Sequence, residues 1–151
     1  MKKPELLAPA GTFEKAKIAF LYGADAVYAG TTKLSLRTRT TMQFDDLINT
    51  VRLAHSLNKK VYVAMNIYAR DNEYDLIKEE AKHLDEIGVD GIIVSDGGIV
   101  DVIKEYAPNT EVHISTQANV TSLHACNFWY KNGASRVILA RELSKDEIKY
   151  I

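Results

Sequence analysis

Apolar runs of three to five residues alternate along this chain with longer stretches whose apolar positions recur at helical spacing. Leu6 to Ala8 is a short first strand, and Phe13 to Tyr22 reads as a helix. A second strand, about Ala24 to Ala29, leads into a loop from Gly30 to Met42. Phe44, Leu47, Ile48, Val51 and Ala54 share one helical face, with Asp45 and Asp46 near its start, where the helix dipole favours carboxylates. Val61 to Met65 is a third strand that ends at Asn66. Ile77, Glu80, Ala81, Leu84 and Ile87 trace the inner edge of a long helix, with Glu80 at its boundary. Ile92 to Val94 is a fourth strand ending at Ser95-Asp96. Ile99, Val102, Ile103 and Tyr106 form another helical face, stopped by Pro108. A fifth strand around His113, a helix of about three turns and a sixth strand, Val137 to Ala140, follow, and Ser144 reads as the N-cap of a last helix.

A glycine-marked unit recurs: Gly23-Ala-Asp-Ala-Val-Tyr-Ala-Gly, Gly88-Val-Asp-Gly-Ile-Ile-Val-Ser and Gly133-Ala-Ser-Arg-Val-Ile-Leu-Ala. Each follows a helix and opens a strand, and the glycine suits the left-handed position that ends a helix. Asp25, Asp90 and Ser135 then fall at equivalent places at the amino ends of their strands, where a structural role is expected. Right-handed crossovers would lay the six strands parallel and in order. The fold class is therefore α/β, a parallel (β/α) barrel type with six of eight strand–helix units. A complete barrel needs about 250 residues. The chain is expected to be one partial barrel domain over 1–151, the amino-terminal portion of a longer protein.

Composition narrows the class without naming a function. The formal net charge of -1 removes any global drive toward nucleic acid, though not a local basic patch. The start, MKKPELLAPAG, has no apolar signal core, and no run approaches the roughly 18 apolar residues of a membrane span. The single Cys126 excludes an internal disulfide and a cysteine-only metal site made by this chain alone. A cytoplasmic protein is the natural reading.

In parallel α/β sheets, ligands sit outside the carboxyl ends of the strands. Those ends should gather Asn66, Asp96, Gln117, Arg141 and Glu142, with His113 deeper. On the fifth strand Val112 and Ile114 point one way, and His113, Ser115 and Gln117 the other. That polar row is either bonded to neighbouring strands or used for chemistry. His113 and Ser115 are about 6.6 Å apart on a strand, beyond hydrogen-bond reach, so they are not a base–nucleophile pair. Arg141 and Glu142 also read as a salt bridge within the loop network. Asp96, ahead of Gly97-Gly98, also reads as a helix cap, and Asn66 as a turn residue. The loop Lys33-Leu-Ser-Leu-Arg-Thr-Arg carries three cations and no acid. Its Arg37 and Arg39 would suit a substrate carboxylate or an RNA phosphate, or else form a solvated basic loop.

His55, His83 and His124 lack metal-ligand spacing, and Tyr62, Tyr68, Tyr106 and Trp129 fit packing better than base stacking. No lysine falls at a strand's carboxyl end, which argues against a Schiff-base aldolase. A phosphate-binding or dinucleotide glycine pattern is lacking too.

Four ordered stretches carry a resemblance: Pro4-Glu-Leu-Leu-Ala-Pro-Ala-Gly, Gly23-Ala-Asp-Ala-Val-Tyr-Ala-Gly, His113-Ile-Ser-Thr-Gln-Ala-Asn and Leu139-Ala-Arg-Glu-Leu-Ser. Together they resemble the collagenase-like U-family peptidases, a family that includes tRNA uridine-hydroxylation and ubiquinone-hydroxylation proteins. The resemblance runs the whole length and implies a barrel enzyme: an RNA base hydroxylase using a small carboxylate such as prephenate, or a hydrolase of the peptidase type. In this reading His113, Gln117, Arg141 and Glu142 are catalytic candidates, and Arg37, Arg39, Asn66 and Asp96 substrate-binding ones. The family's Gly- and Cys-rich segment, whose cysteines are the expected iron–sulfur ligands, would begin beyond Ile151. The chain alone is thus expected to bind no cofactor and to be inactive. A peptidase finds little support, with no workable nucleophile–base pair and no zinc motif. A non-catalytic assembly module that pairs through open sheet edges is a third reading. Because the first and last strands would leave apolar edges, self-association is expected.

Overall fold

In the computed structural model, which describes residues 3–31, 34–35 and 41–151, six strands form one parallel sheet in the order β1 to β6. They are β1 (Leu7–Pro9), β2 (Ala26–Gly30), β3 (Lys60–Ala64), β4 (Gly91–Val94), β5 (Glu111–Ile114) and β6 (Arg136–Val137). The helices are α1 (Phe13–Leu21), α2 (Phe44–Ser56), α3 (Tyr74–Ile87), α4 (Gly97–Tyr106), α5 (Leu123–Lys131) and α6 (Lys145–Tyr150). The expected incomplete barrel of six parallel strands in sequential order is what forms.

Its two faces follow from strand alternation. Val27, Val61, Val63, Ile92, Val94, Val112 and Ile114 point outward into a layer with Phe20, Leu47, Ile77, Leu84, Ile99 and Ile103 of the helices. The inward row is smaller: Ala26, Tyr62 and Ile93 are buried there, with Leu7, Tyr28, Ala64 and Ile138 packed on them. On α2 the inner face includes Thr50, whose hydroxyl donates to Asp46 O at 2.7 Å, while Phe44 stays exposed. Glu80 is half-buried, as a boundary position should be.

Each recurring unit works as a latch between neighbouring strands. Gly23, Gly88 and Gly133 hold φ of 94°, 80° and 102°, which lets the chain leave its helix and enter the next strand. Two residues on, Asp25 accepts from Leu6 N at 2.9 Å and Asp90 from Val61 N at 2.8 Å. Ser135 instead donates to Val112 O at 3.1 Å. These amino-end residues tie β2 to the approach of β1, β4 to β3, and β6 to β5. Asn58, with φ 53°, makes the same left-handed exit after α2, a fourth copy that its different residue type hides in the sequence.

The last strand differs from its expected span. β6 has two residues in place of Val137 to Ala140, because its partner leaves the sheet. After Ile114 the chain turns into a single 3-10 turn over Thr116–Ala118, and Ala140 N bonds to Val120 O instead. Gln117 therefore sits on that turn, not on a continued strand.

A candidate active site at the carboxyl ends of the strands

The carboxyl ends of β3 and β5 and the segment after β6 enclose a cavity of about 180 Å³. Its walls are the inward row: Tyr28, Ala64, Ile93 and Ile138. Its polar groups are Asn66, Ser115, Gln117 and Arg141, with Thr116 beside them. Asn66 and Ser115 are buried, at 7% and 5% exposure. Asn66 Nδ2 donates to Gln117 Oε1, and Ser115 Oγ donates to the same oxygen at 3.3 Å. Ser115 Oγ in turn accepts from Gln117 N at 3.3 Å, which caps the turn and leaves its own hydrogen for Gln117 Oε1. Three residues from two strand ends thus form one hydrogen-bonded unit beside the exposed Arg141.

Of the expected site residues, the structure brings Asn66, Gln117 and Arg141 together. Glu142 is exposed and does not line the cavity. Asp96 is the N-cap of α4: its Oδ1 accepts from Gly98 N (2.8 Å), Ile99 N (3.1 Å) and Tyr74 OH (3.2 Å). That oxygen is fully committed to the fold. Arg37 and Arg39 lie outside the described residues.

His113 points into the lumen, as alternation requires, but toward its amino end. Its Nε2 lies 2.8 Å from Glu111 Oε2 and its ring packs edge-on against Tyr62, centroids 4.7 Å apart. Gly91 makes room for it, since a Cβ there would come within 2.9 Å of His113 Cε1. Burial pulls the imidazole below its ordinary pKa, and the charge of Arg136 adds to this against the opposing bond to Glu111. The bond from His113, with Lys60 nearby, holds the Glu111 carboxyl low despite partial burial. A neutral imidazole donating to a carboxylate satisfies both.

Around it runs a group that composition and spacing do not announce. Arg136 NH1 meets Glu5 Oε1 at 2.6 Å, Tyr62 OH donates to Glu5 Oε2 at 2.9 Å, and the Arg136 guanidinium lies 5.0 Å from the Tyr62 ring centroid. Burial raises the Glu5 carboxyl, but the bonds from Arg136 and Tyr62 outweigh it and leave the net shift downward. Burial and Glu5 push the Tyr62 phenol up. The available signal is a tyrosine at an inward position within the apolar run Val61-Tyr-Val-Ala of β3.

The chain's own donors do not fit an iron–sulfur cluster. Cys126 is its one cysteine, half-buried on α5, and no group of three His, Cys, Asp or Glu converges among the described residues. No helix among the described residues is long and apolar enough to cross a membrane.

A curled parallel sheet with helices outside and a polar cavity at its carboxyl ends defines a protein of the (β/α)-barrel class. More narrowly, the model of peptidase family U32 matches residues 11–151, and the chain belongs to that family. It is 42% identical over 152 aligned residues to the tRNA hydroxylation protein P of Escherichia coli, covering 100% of this chain and 34% of that protein. Against the tRNA hydroxylation protein P1 of Bacillus subtilis it is 43% identical, covering 98% and 35%. The chain spans about a third of the length of these curated relatives. Among solved structures, the U32 peptidase Mk0906 superposes with a TM-score of 0.72 at 17% identity, over 92% of this chain and 61% of that one. That likeness speaks for the fold alone.

Proposed function

We propose that this chain supplies the substrate-site half of an RNA base-hydroxylating barrel, with a tRNA uridine as its target. The observation that carries the reading is the amide- and guanidinium-lined cavity of Asn66, Gln117 and Arg141. It lies at the ligand-binding end of the fold, in a chain similar throughout to proteins named for tRNA hydroxylation. Side-chain amides and guanidinium groups are what reads the edge of an unstacked base and its phosphate. Within this reading Asn66 and Ser115 set the orientation of Gln117, Gln117 holds the base edge, and Arg141, at the rim, meets an anionic group. That group is an RNA phosphate or the carboxylate of a co-substrate such as prephenate. The iron–sulfur chemistry that the family resemblance implies is assigned to polypeptide outside these 151 residues, and the reaction to the cytoplasm.

A hydrolase has no comparable support. Ser115 Oγ donates to Gln117 while His113 Nε2 pairs with Glu111, so serine and imidazole are not coupled.

Nucleoside mass spectrometry of bulk tRNA tests the reading. Cells lacking the gene should lose hydroxylated uridine, and the full-length gene carrying Arg141→Ala should restore less of it than wild type. Unchanged tRNA nucleosides in the deletion would overturn the proposal.

A further inference from the structure

The Gln117 amide is oriented by its own neighbours. Its Oε1 accepts from both Asn66 Nδ2 and Ser115 Oγ, so the Nε2 end is the one left to meet a ligand in the cavity that Gln117 lines. Ser115 Oγ, which accepts from Gln117 N, gives its one hydrogen to that oxygen. Beside Gln117 stands Arg141, whose guanidinium is a donor only. The polar wall at this point therefore offers hydrogens and asks for sp² oxygens in return.

We propose that Gln117 is the specificity-determining residue of this site and selects a uracil over a cytosine through the group at pyrimidine position 4. This rests on the reading of the cavity as a base-binding site. Uracil presents a carbonyl oxygen at position 4, which accepts from Gln117 Nε2. Cytosine presents an amine there, and two donors face each other with nothing between them. A site built around one hydrogen bond rejects the analogue that lacks the partner, because its own buried polar group is left unpaired. The cavity's apolar walls, Ala64, Ile93 and Ile138, make no such distinction and serve either ring.

Glu at position 117 is nearly isosteric and separates the two ends of the side chain. One carboxylate oxygen still accepts from Asn66 and Ser115, while the other replaces the donor by an acceptor. Binding of single-stranded oligouridylate and oligocytidylate to the protein, read by fluorescence anisotropy, gives a U:C affinity ratio, which a general charge effect leaves unchanged. Wild type should prefer oligouridylate by about tenfold, and Gln117→Glu should reverse the order. Gln117→Met, which has neither end, should bring the ratio to about one, and serves if the glutamate variant does not fold. A wild-type ratio near one, or a ratio indifferent to both substitutions, overturns the role of Gln117 while leaving a base-binding cavity intact. Oligouridylate binding unaffected by Gln117→Glu, Gln117→Met and Arg141→Ala alike overturns the base-binding reading itself. So does a Gln117-dependent affinity for malonate without one for oligouridylate, which would assign the donors to a small carboxylate.

Discussion

Arg136, at the start of the last strand, closes on Glu5, just ahead of the first, with 2.6 Å between NH1 and Oε1. The two residues lie 131 positions apart. Between them stands Tyr62 from β3, bonded to Glu5 and covered by the guanidinium. The curl of the half-barrel is thus pinned at its amino end by one ion pair and one phenol, while the carboxyl end stays open as the cavity.

Replacing Arg136 by Ala should expose how much that pin contributes. The side chains keep 35% and 29% of their surface, so the pair lies between the exposed and the buried regimes. A loss of about 1–2 kcal/mol is expected, more than an exposed pair gives and less than a buried one. Urea unfolding measures it. Glu5→Gln, which loses the charge but retains an acceptor for Tyr62, should cost less than Arg136→Ala, and equal costs would mean that the contacts it keeps add nothing beyond the ion pair.

The buried imidazole predicts a pH dependence. His113 has a folded pKa below its ordinary value of 6.5, so the unfolded chain binds the proton first as pH falls. Its contribution is present above about 6.5 and is lost as pH falls from there through the lower folded pKa. Glu5 and Glu111, also shifted down, lose theirs at more acidic pH, when their native carboxylates are protonated. The groups facing His113 are Glu111, Arg136, Glu5 and Tyr62, with Lys60 beside Glu111. Thermal midpoints between pH 7.5 and about 5 should fall more steeply for wild type than for His113→Gln. Parallel curves would refute the assignment.

Gly91 and His113 should be energetically coupled. Gly91→Ala places a methyl within 2.9 Å of the ring. Overpacking of this kind costs about 1–3 kcal/mol. In a His113→Ala background the same change should cost little, since the ring is gone. A double-mutant cycle that closes without an interaction term would mean the strain lies elsewhere.

Asp96 separates a structural from a ligand role. With its Oδ1 bonded to two α4 amides and Tyr74, Asp96→Ala should lower stability by about 1 kcal/mol. Oligonucleotide affinity should be unchanged. A variant of normal stability with lost affinity would return Asp96 to the binding set.

The sheet edges bear on association. β1 and β6 each pair with one neighbour, and Leu6 before β1 and Leu21 and Tyr22 at the end of α1 are exposed at 54%, 81% and 82%. We propose that the 151-residue chain self-associates at micromolar concentration. Sedimentation velocity should show dimers or larger species, and a monodisperse monomer would show the edges to be adequately protected as they are.

Which face of the sheet a residue takes is a local matter of alternation, and which end of a strand it occupies is a matter of order along the chain. Both are written in the sequence. For that reason the six parallel strands, the latches at Asp25, Asp90 and Ser135, and the meeting of Asn66, Gln117 and Arg141 could be read from it. What a side chain touches depends on register, stagger and curl, which accumulate over strands far apart in the chain. Alternation put His113 in the lumen, but only the space over Gly91 and the ring of Tyr62 turned it toward Glu111. Asp96 stood at the right end for ligand binding, and the first turn of α4, with Tyr74, took its oxygen. Glu5 and Arg136 became partners because the sheet curls far enough to bring its first and last strands to opposite sides of one tyrosine. No local pattern encodes that distance.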